Sequence, residues 1–284
     1  MPLTYVLVRQ LMKVVYPSYP TAIRGLTVRN VALVAAMLVA VNPYLTWYSQ
    51  EGKMYSVLVV AVLATQLAFL GALARSRWWR WGLYLVLLAV AALLHVLAVL
   101  VVVVDVAWLL LLWPDYRRRW LPFVVTLLLP LAPYFALVGW WQMRLFLKAD
   151  FQTGHPFVPL DDIASGLLEL YGHGVSPQPP AWVLAPFIFL LLCGIVFAGR
   201  LTHHAIGPDV PPQAASRWRA WRMTAILLAW LLLPPLLLFV ISLTKPMHAD
   251  RYVIWVVPAF LILLAQGVAA LATCLLYTSP SPRD

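Results

Sequence analysis

The apolar runs constrain this chain more than any other feature. Val96–Val104 and Leu227–Val240 contain no polar side chain at all, and Gly82–Trp113 is apolar except for His95 and Asp105. Runs of this kind are too long to hide in a soluble core. A transmembrane β-strand would alternate apolar and polar positions, which these do not. In lipid every backbone polar group must be satisfied within its own segment, so the runs predict helices. The composition agrees: 63% of the 284 residues are hydrophobic and 11% charged, against about 45–50% and about 25% in ordinary soluble domains. A soluble enzyme, a disordered chain and a disulfide-rich module are excluded. The net charge of +10 does not indicate a nucleic-acid partner, because so few charges cannot build a basic face.

Windows of about twenty apolar residues predict an all-α polytopic transmembrane bundle of about eight spans. These are Leu26–Thr46, Tyr55–Ala74, Trp81–Val96, Leu97–Trp113, Leu121–Trp141, Ala181–Ala198, Met223–Leu243 and Tyr252–Thr273. Charge decides the doubtful third and fourth. Arg75, Arg77 and Arg80 precede them and Arg117, Arg118 and Arg119 follow. Both clusters belong on the cytoplasmic side, so an even number of crossings lies between, turning near His95–Ala98. With the N-terminus inside, all Lys and Arg except Lys53, Arg144, Lys148, Lys245 and Arg251 fall inside. Ten tryptophans stand near span ends, Trp78, Trp79, Trp81 and Trp182 among them, as in an interfacial belt. Within the long outer loop, Ile163, Leu167, Leu170 and Tyr171 have helical spacing. This predicts a short amphipathic helix on the outer surface, capped by Asp161 or Asp162 and stopped by Gly172 and Gly174. Cys193 and Cys274 have no metal or redox spacing and read as structural thiols.

Ionisable groups at the membrane carry the functional signal, because they are costly there. Glu51, Lys53 and Tyr55 open one span. They form either a wet turn or a charged pair facing an outer cavity. TKPMHADRY holds Lys245, His248, Asp250, Arg251 and Tyr252 between two spans. Arg251 can grip a phosphate bidentately, or Lys245 and Arg251 simply snorkel. His95 lies at the expected outer turn and Asp105 inside a span, where a structural hydrogen bond and a functional role compete. His155, Asp161 and Asp162 share the long loop without metal-ligand spacing. No metal site is predicted, and a divalent-metal requirement is left open. His203 and His204 fall on an inner connector. Nucleotide-binding loops, zinc signatures and nucleophile elbows are absent from the sequence.

The string NPYLTWYSQEGKMYS resembles a recurring stretch of the GT-C superfamily of polytopic bacterial glycosyltransferases, in the branch of protein O-mannosyltransferases and the aminoarabinose transferase of lipid A. The matching residues are Pro43, Tyr48, Ser49, Gln50, Glu51, Lys53 and Tyr55, with Lys53 where the pattern has arginine. RYVIWVVPAF from Arg251 resembles a later stretch of the same enzymes, and His95 falls where they often carry a histidine. The resemblance covers about residues 2–272. It implies a membrane glycosyltransferase moving a sugar from a polyprenyl-phosphate donor to a glycan, lipid or protein acceptor outside the bacterial cytoplasmic membrane. Lys53 and Arg251 would contact the donor phosphate, Glu51 would orient substrate, and His248 would add a hydrogen bond, with Tyr55 and Tyr252 lining the site. The catalytic carboxylate of such enzymes follows their first span, which here would lie upstream of Met1. Residues 1–274 are therefore expected to be one incomplete transferase domain, inactive alone. Residues 275–284 resemble an adaptor-derived read-through. A transporter or lipid flippase and a non-catalytic membrane assembly subunit are the alternatives.

Overall fold

In the computed structural model, residues 1–16, 25–134, 136, 140–147, 154–175, 181–196 and 217–278 are described. Expectations placed on Arg24, Lys148, Asp150, Arg200, His203, His204 and the last six residues lie outside them. The described residues are helical and contain no strand. The order is α1 (Pro2–Val15), α2 (Gly25–Val41), α3 (Pro43–Gln50), α4 (Tyr55–Ala74), α5 (Trp78–Leu94) and a 3-10 turn Val96–Leu100 leading into α6 (Val101–Leu111). There follow α7 (Trp113–Tyr116), α8 (Trp120–Tyr134), α9 (Trp140–Phe146), α10 (Leu160–His173), α11 (Ala185–Val196), α12 (Arg217–Ser242) and, after a 3-10 stretch Asp250–Val256, α13 (Val257–Thr278).

Three stretches are long and apolar enough to cross a membrane: Tyr55–Ala74, Trp221–Ser242 and Asp250–Ala272. The number rises to 5 if each of two bent pairs is one span. The structure thus supports three to five crossings by length and composition, where the sequence suggests eight. The difference has local causes. α5 and α11 are apolar but only 17 and 12 residues long. The first expected span is interrupted at Asn42, where the chain bends by 50°, because a residue preceding proline is pushed out of the helical region. The fourth and fifth meet at an 89° bend, with Pro114 in the first turn of α7, where its missing N–H costs nothing.

α4 and α5 form an antiparallel hairpin, α1 packs on α2 and α4, α12 on α6 and α13, and α13 on α2 and α11. α4 therefore carries the chain about 30 Å from a tyrosine-rich end, at Tyr55, to an arginine-rich end, at Arg75. The core is aromatic: Phe69, Trp81, Tyr84 and Phe123 meet edge-on or tilted, and Trp108 packs on Trp230 with centroids 5.8 Å apart. Trp81 departs from the expected belt, for it is buried and its Nε1 donates to Ser76 Oγ at 2.8 Å. Trp47, Trp78 and Trp182 are exposed. At the arginine-rich end Arg222, almost fully buried, forms an ion pair with Asp115. A glycine pair lets α11 and α13 touch. A methyl on Gly194 would strike the Leu263 carbonyl oxygen, and one on Gly267 the Leu190 carbonyl oxygen.

Candidate functional site

Four segments distant in sequence converge at the tyrosine-rich end. The elbow at Asn42 starts it. Asn42 Oδ1 accepts from Leu45 N–H (3.0 Å), capping α3, and its Nδ2 donates to the Tyr171 carbonyl (2.8 Å). The Tyr171 hydroxyl donates to the Val253 carbonyl at 3.2 Å. The C-terminal end of α10 is thereby tied to both the α3 elbow and the Asp250–Val256 stretch. Gly174 ends α10 with φ +93°, and a methyl there would stand 2.7 Å from Pro43 Cβ. Only glycine satisfies both the left-handed backbone and that close approach.

From this junction a row of rings runs across the end. Tyr44 meets Tyr171 (6.0 Å) and Tyr48 (5.0 Å), Tyr48 meets Tyr55 (5.3 Å), Tyr55 meets His95 (6.4 Å), and His95 meets Tyr252 (4.8 Å). His155, from the long loop, closes the row: its Nε2 and the Tyr252 hydroxyl share a hydrogen bond at 3.1 Å. The Arg251 guanidinium lies 5.7 Å from the centre of the Tyr252 ring, a cation–π distance. His248 Nε2 stands 3.4 Å from Asp250 Oδ1, with the imidazole buried beneath the surface. Lys53 pairs with Glu51 at 3.5 Å, on the exposed rim.

Two ionisations in this cluster are shifted. Burial, then the charge of Arg251, lowers the pKa of His95 below its ordinary 6.5. Its Nδ1 accepts from Leu97 N–H at 3.3 Å, so the neutral ring carries its proton on Nε2. Burial, then the Asp250 charge, holds the Tyr171 phenol above the ordinary tyrosine range. The site is therefore a set of neutral rings and hydroxyls with one partly exposed guanidinium. Such a surface can take an anion at Arg251 and stack an apolar face on the rings.

The structure brings Tyr55, His95, Arg251 and Tyr252 together, with Glu51 and Lys53 on the rim and His248 behind Asp250. Asp161 and Asp162 lie in the first turn of α10 on its exposed side, and neither side chain caps it, since the helix starts at Pro159. Asp105 is elsewhere, fully buried between α5 and α6, with Oδ2 accepting from the Tyr84 hydroxyl at 2.7 Å. Among the described residues no group of three or more His, Cys, Asp or Glu is placed to hold a metal. Sequence reasoning missed His155 and Tyr171 as members of the cluster. Ile163–Tyr171 spacing marked a helix face, but nothing in it named the partners of that face.

Beside the cluster lies an apolar cleft of about 490 Å³, walled by Leu160, Ile163 and Leu167 of α10, Leu191 of α11, Pro235 of α12 and Phe260 of α13. Tyr171 belongs to both: its ring lines the cleft and its neighbour Tyr44 begins the row of rings. Pro234 and Pro235 sit inside α12 and withdraw two backbone donors from it. Comparison with known proteins found no matching family model, curated protein or solved structure.

Proposed function

We propose that this chain belongs to a membrane glycosyltransferase that takes a sugar from a polyprenyl-phosphate donor and works on the outer side of a bacterial cytoplasmic membrane. The single observation that carries the reading is the adjacency of the cationic ring cluster and the apolar cleft, which meet at Tyr171. A lipid-linked sugar has the same three parts in the same order: an apolar chain, a phosphate and a ring. On this reading the cleft takes the first isoprene units, Arg251 takes the phosphate, and Tyr48, Tyr55 and Tyr252 face the sugar. Lys53 adds charge from the rim, and Glu51 and His248 orient the polar groups. The departing phosphate is the charge that develops in the transition state, so a preorganised guanidinium beside it accelerates transfer.

The same reading takes the eight apolar segments as crossings, with the arginine-rich end inside. α10 then lies in the outer interface with Ile163, Leu167 and Tyr171 inward and Asp161 and Asp162 in water. A transporter draws some support from the bend at Asn42 and from Pro234–Pro235, since transporters use broken helices. The Asn42 bend, however, lies against Tyr171 at the tyrosine-rich end, away from mid-helix.

Binding of polyprenyl phosphate to the purified protein tests the assignment without requiring turnover. Arg251→Ala should weaken binding about tenfold or more, as expected for a lost charged hydrogen bond. Phe260→Trp, which fills the cleft, should weaken a long-chain phosphate but not a soluble sugar phosphate. Equal binding of polyprenyl phosphate by wild type and both variants would sink the reading.

A further inference from the structure

Asp105 takes no part in the cluster at the tyrosine-rich end. It sits on α6 with no exposed surface, and one carboxylate oxygen accepts from Tyr84 on α5. The other oxygen, Oδ1, has no hydrogen-bond partner among the described residues. Gln66 on α4 is equally buried and lies close enough to Asp105 to interact with it, yet neither its Oε1 nor its Nε2 forms a hydrogen bond that meets normal geometry. Among the described residues no Lys, Arg or His forms an ion pair with Asp105. Buried polar groups are almost always satisfied, and a cluster of three unsatisfied atoms on two neighbouring helices points to a ligand.

We propose that Asp105, Gln66 and Tyr84 form a binding site for a sodium-sized monovalent cation. The donor set decides the ion. A carboxylate, an amide oxygen and a phenolic oxygen are hard ligands, which suit alkali and alkaline-earth ions over soft transition metals. One carboxylate balances one positive charge. A divalent ion would leave a net charge in an interior lined by Val101, Val104 and Leu88, where an uncompensated charge is costly. The three ligands come from α4, α5 and α6, so the bound ion would fasten the α4–α5 hairpin to the helix that follows it.

Thermal unfolding of the purified chain in detergent tests this, with choline chloride exchanged for NaCl, LiCl or KCl at constant pH and ionic strength. Sodium at about ten times its dissociation constant should raise Tm by about 3–5 °C over choline. The rise should saturate with concentration, and it should be absent in Asp105→Asn and reduced in Gln66→Leu. The same Tm in choline and in all three alkali salts overturns the site. So does a sodium response that Asp105→Asn retains, or a response to pH alone, which would identify a protonated structural carboxyl. Should Asp105→Asn fail to fold, the wild-type titration decides: a saturable sodium-selective shift supports the site, and its absence removes it.

Discussion

The ring of His95 lies 4.8 Å from the ring of Tyr252, centroid to centroid, while its Nδ1 caps the 3-10 turn at Leu97. One side chain thus closes the α5 turn and packs against the residue beside Arg251. Both roles require the neutral imidazole.

Acid should therefore loosen this end of the protein. The His95 pKa is lower in the folded state than its unfolded value of 6.5, so the unfolded chain binds more protons below that value. The stability His95 contributes is fully present above pH 6.5 and declines as pH falls from there towards its folded pKa. Unfolding monitored by tryptophan fluorescence should show this loss, and His95→Asn, which keeps a cap acceptor without titrating, should flatten it. An identical acid limb in wild type and His95→Asn would contradict the assignment.

The glycines between α11 and α13 should be intolerant of any side chain. Gly194→Ala and Gly267→Ala each drive a methyl into a carbonyl oxygen of the facing helix, so each should cost about 1–3 kcal/mol or more. Gly82→Ala is the control, because a methyl there meets nothing within 4 Å, and in a helix it should be neutral or slightly stabilising. Midpoints of denaturation in detergent would separate the three.

At the arginine-rich end, Arg222→Ala should cost about 1–3 kcal/mol, because it leaves Asp115 without its partner. Adding Asp115→Ala should recover part of that loss, since the stranded carboxylate is then gone. A double variant as unstable as the sum of the singles would show that the pair is not coupled.

Much of the fold is legible in the sequence where a single local signal decides it. The boundaries of Tyr55–Ala74 follow from hydropathy alone. The turn at His95–Ala98 followed from two arginine clusters that had to share a side, and α5 does stop at Leu94. The helix at Leu160–His173 followed from apolar spacing and Gly174. Less legible were features set by partners. Trp81 looked interfacial, yet Phe69 and Ser76 bury it. His155 had no motif to mark it, and only the folded loop places it on Tyr252. Gln66 reads as an ordinary polar residue in an apolar helix until α6 sets Asp105 beside it. Hydropathy windows also overlook proline breaks, which is why the first apolar run divides at Asn42 into α2 and α3.

The central claim is that Arg251 holds the phosphate of a lipid-linked sugar, and sugar transfer tests it most directly. Arg251→Ala, Arg251→Lys and Lys53→Ala would be introduced into the native gene, and transfer from a labelled polyprenyl-phosphate sugar measured in membranes with matched protein levels. The account predicts a loss of about 10²–10³-fold for Arg251→Ala. Partial recovery is expected in Arg251→Lys, which keeps the charge but not the fork, and a smaller loss in Lys53→Ala on the exposed rim. Transfer at the wild-type rate in Arg251→Ala would contradict it.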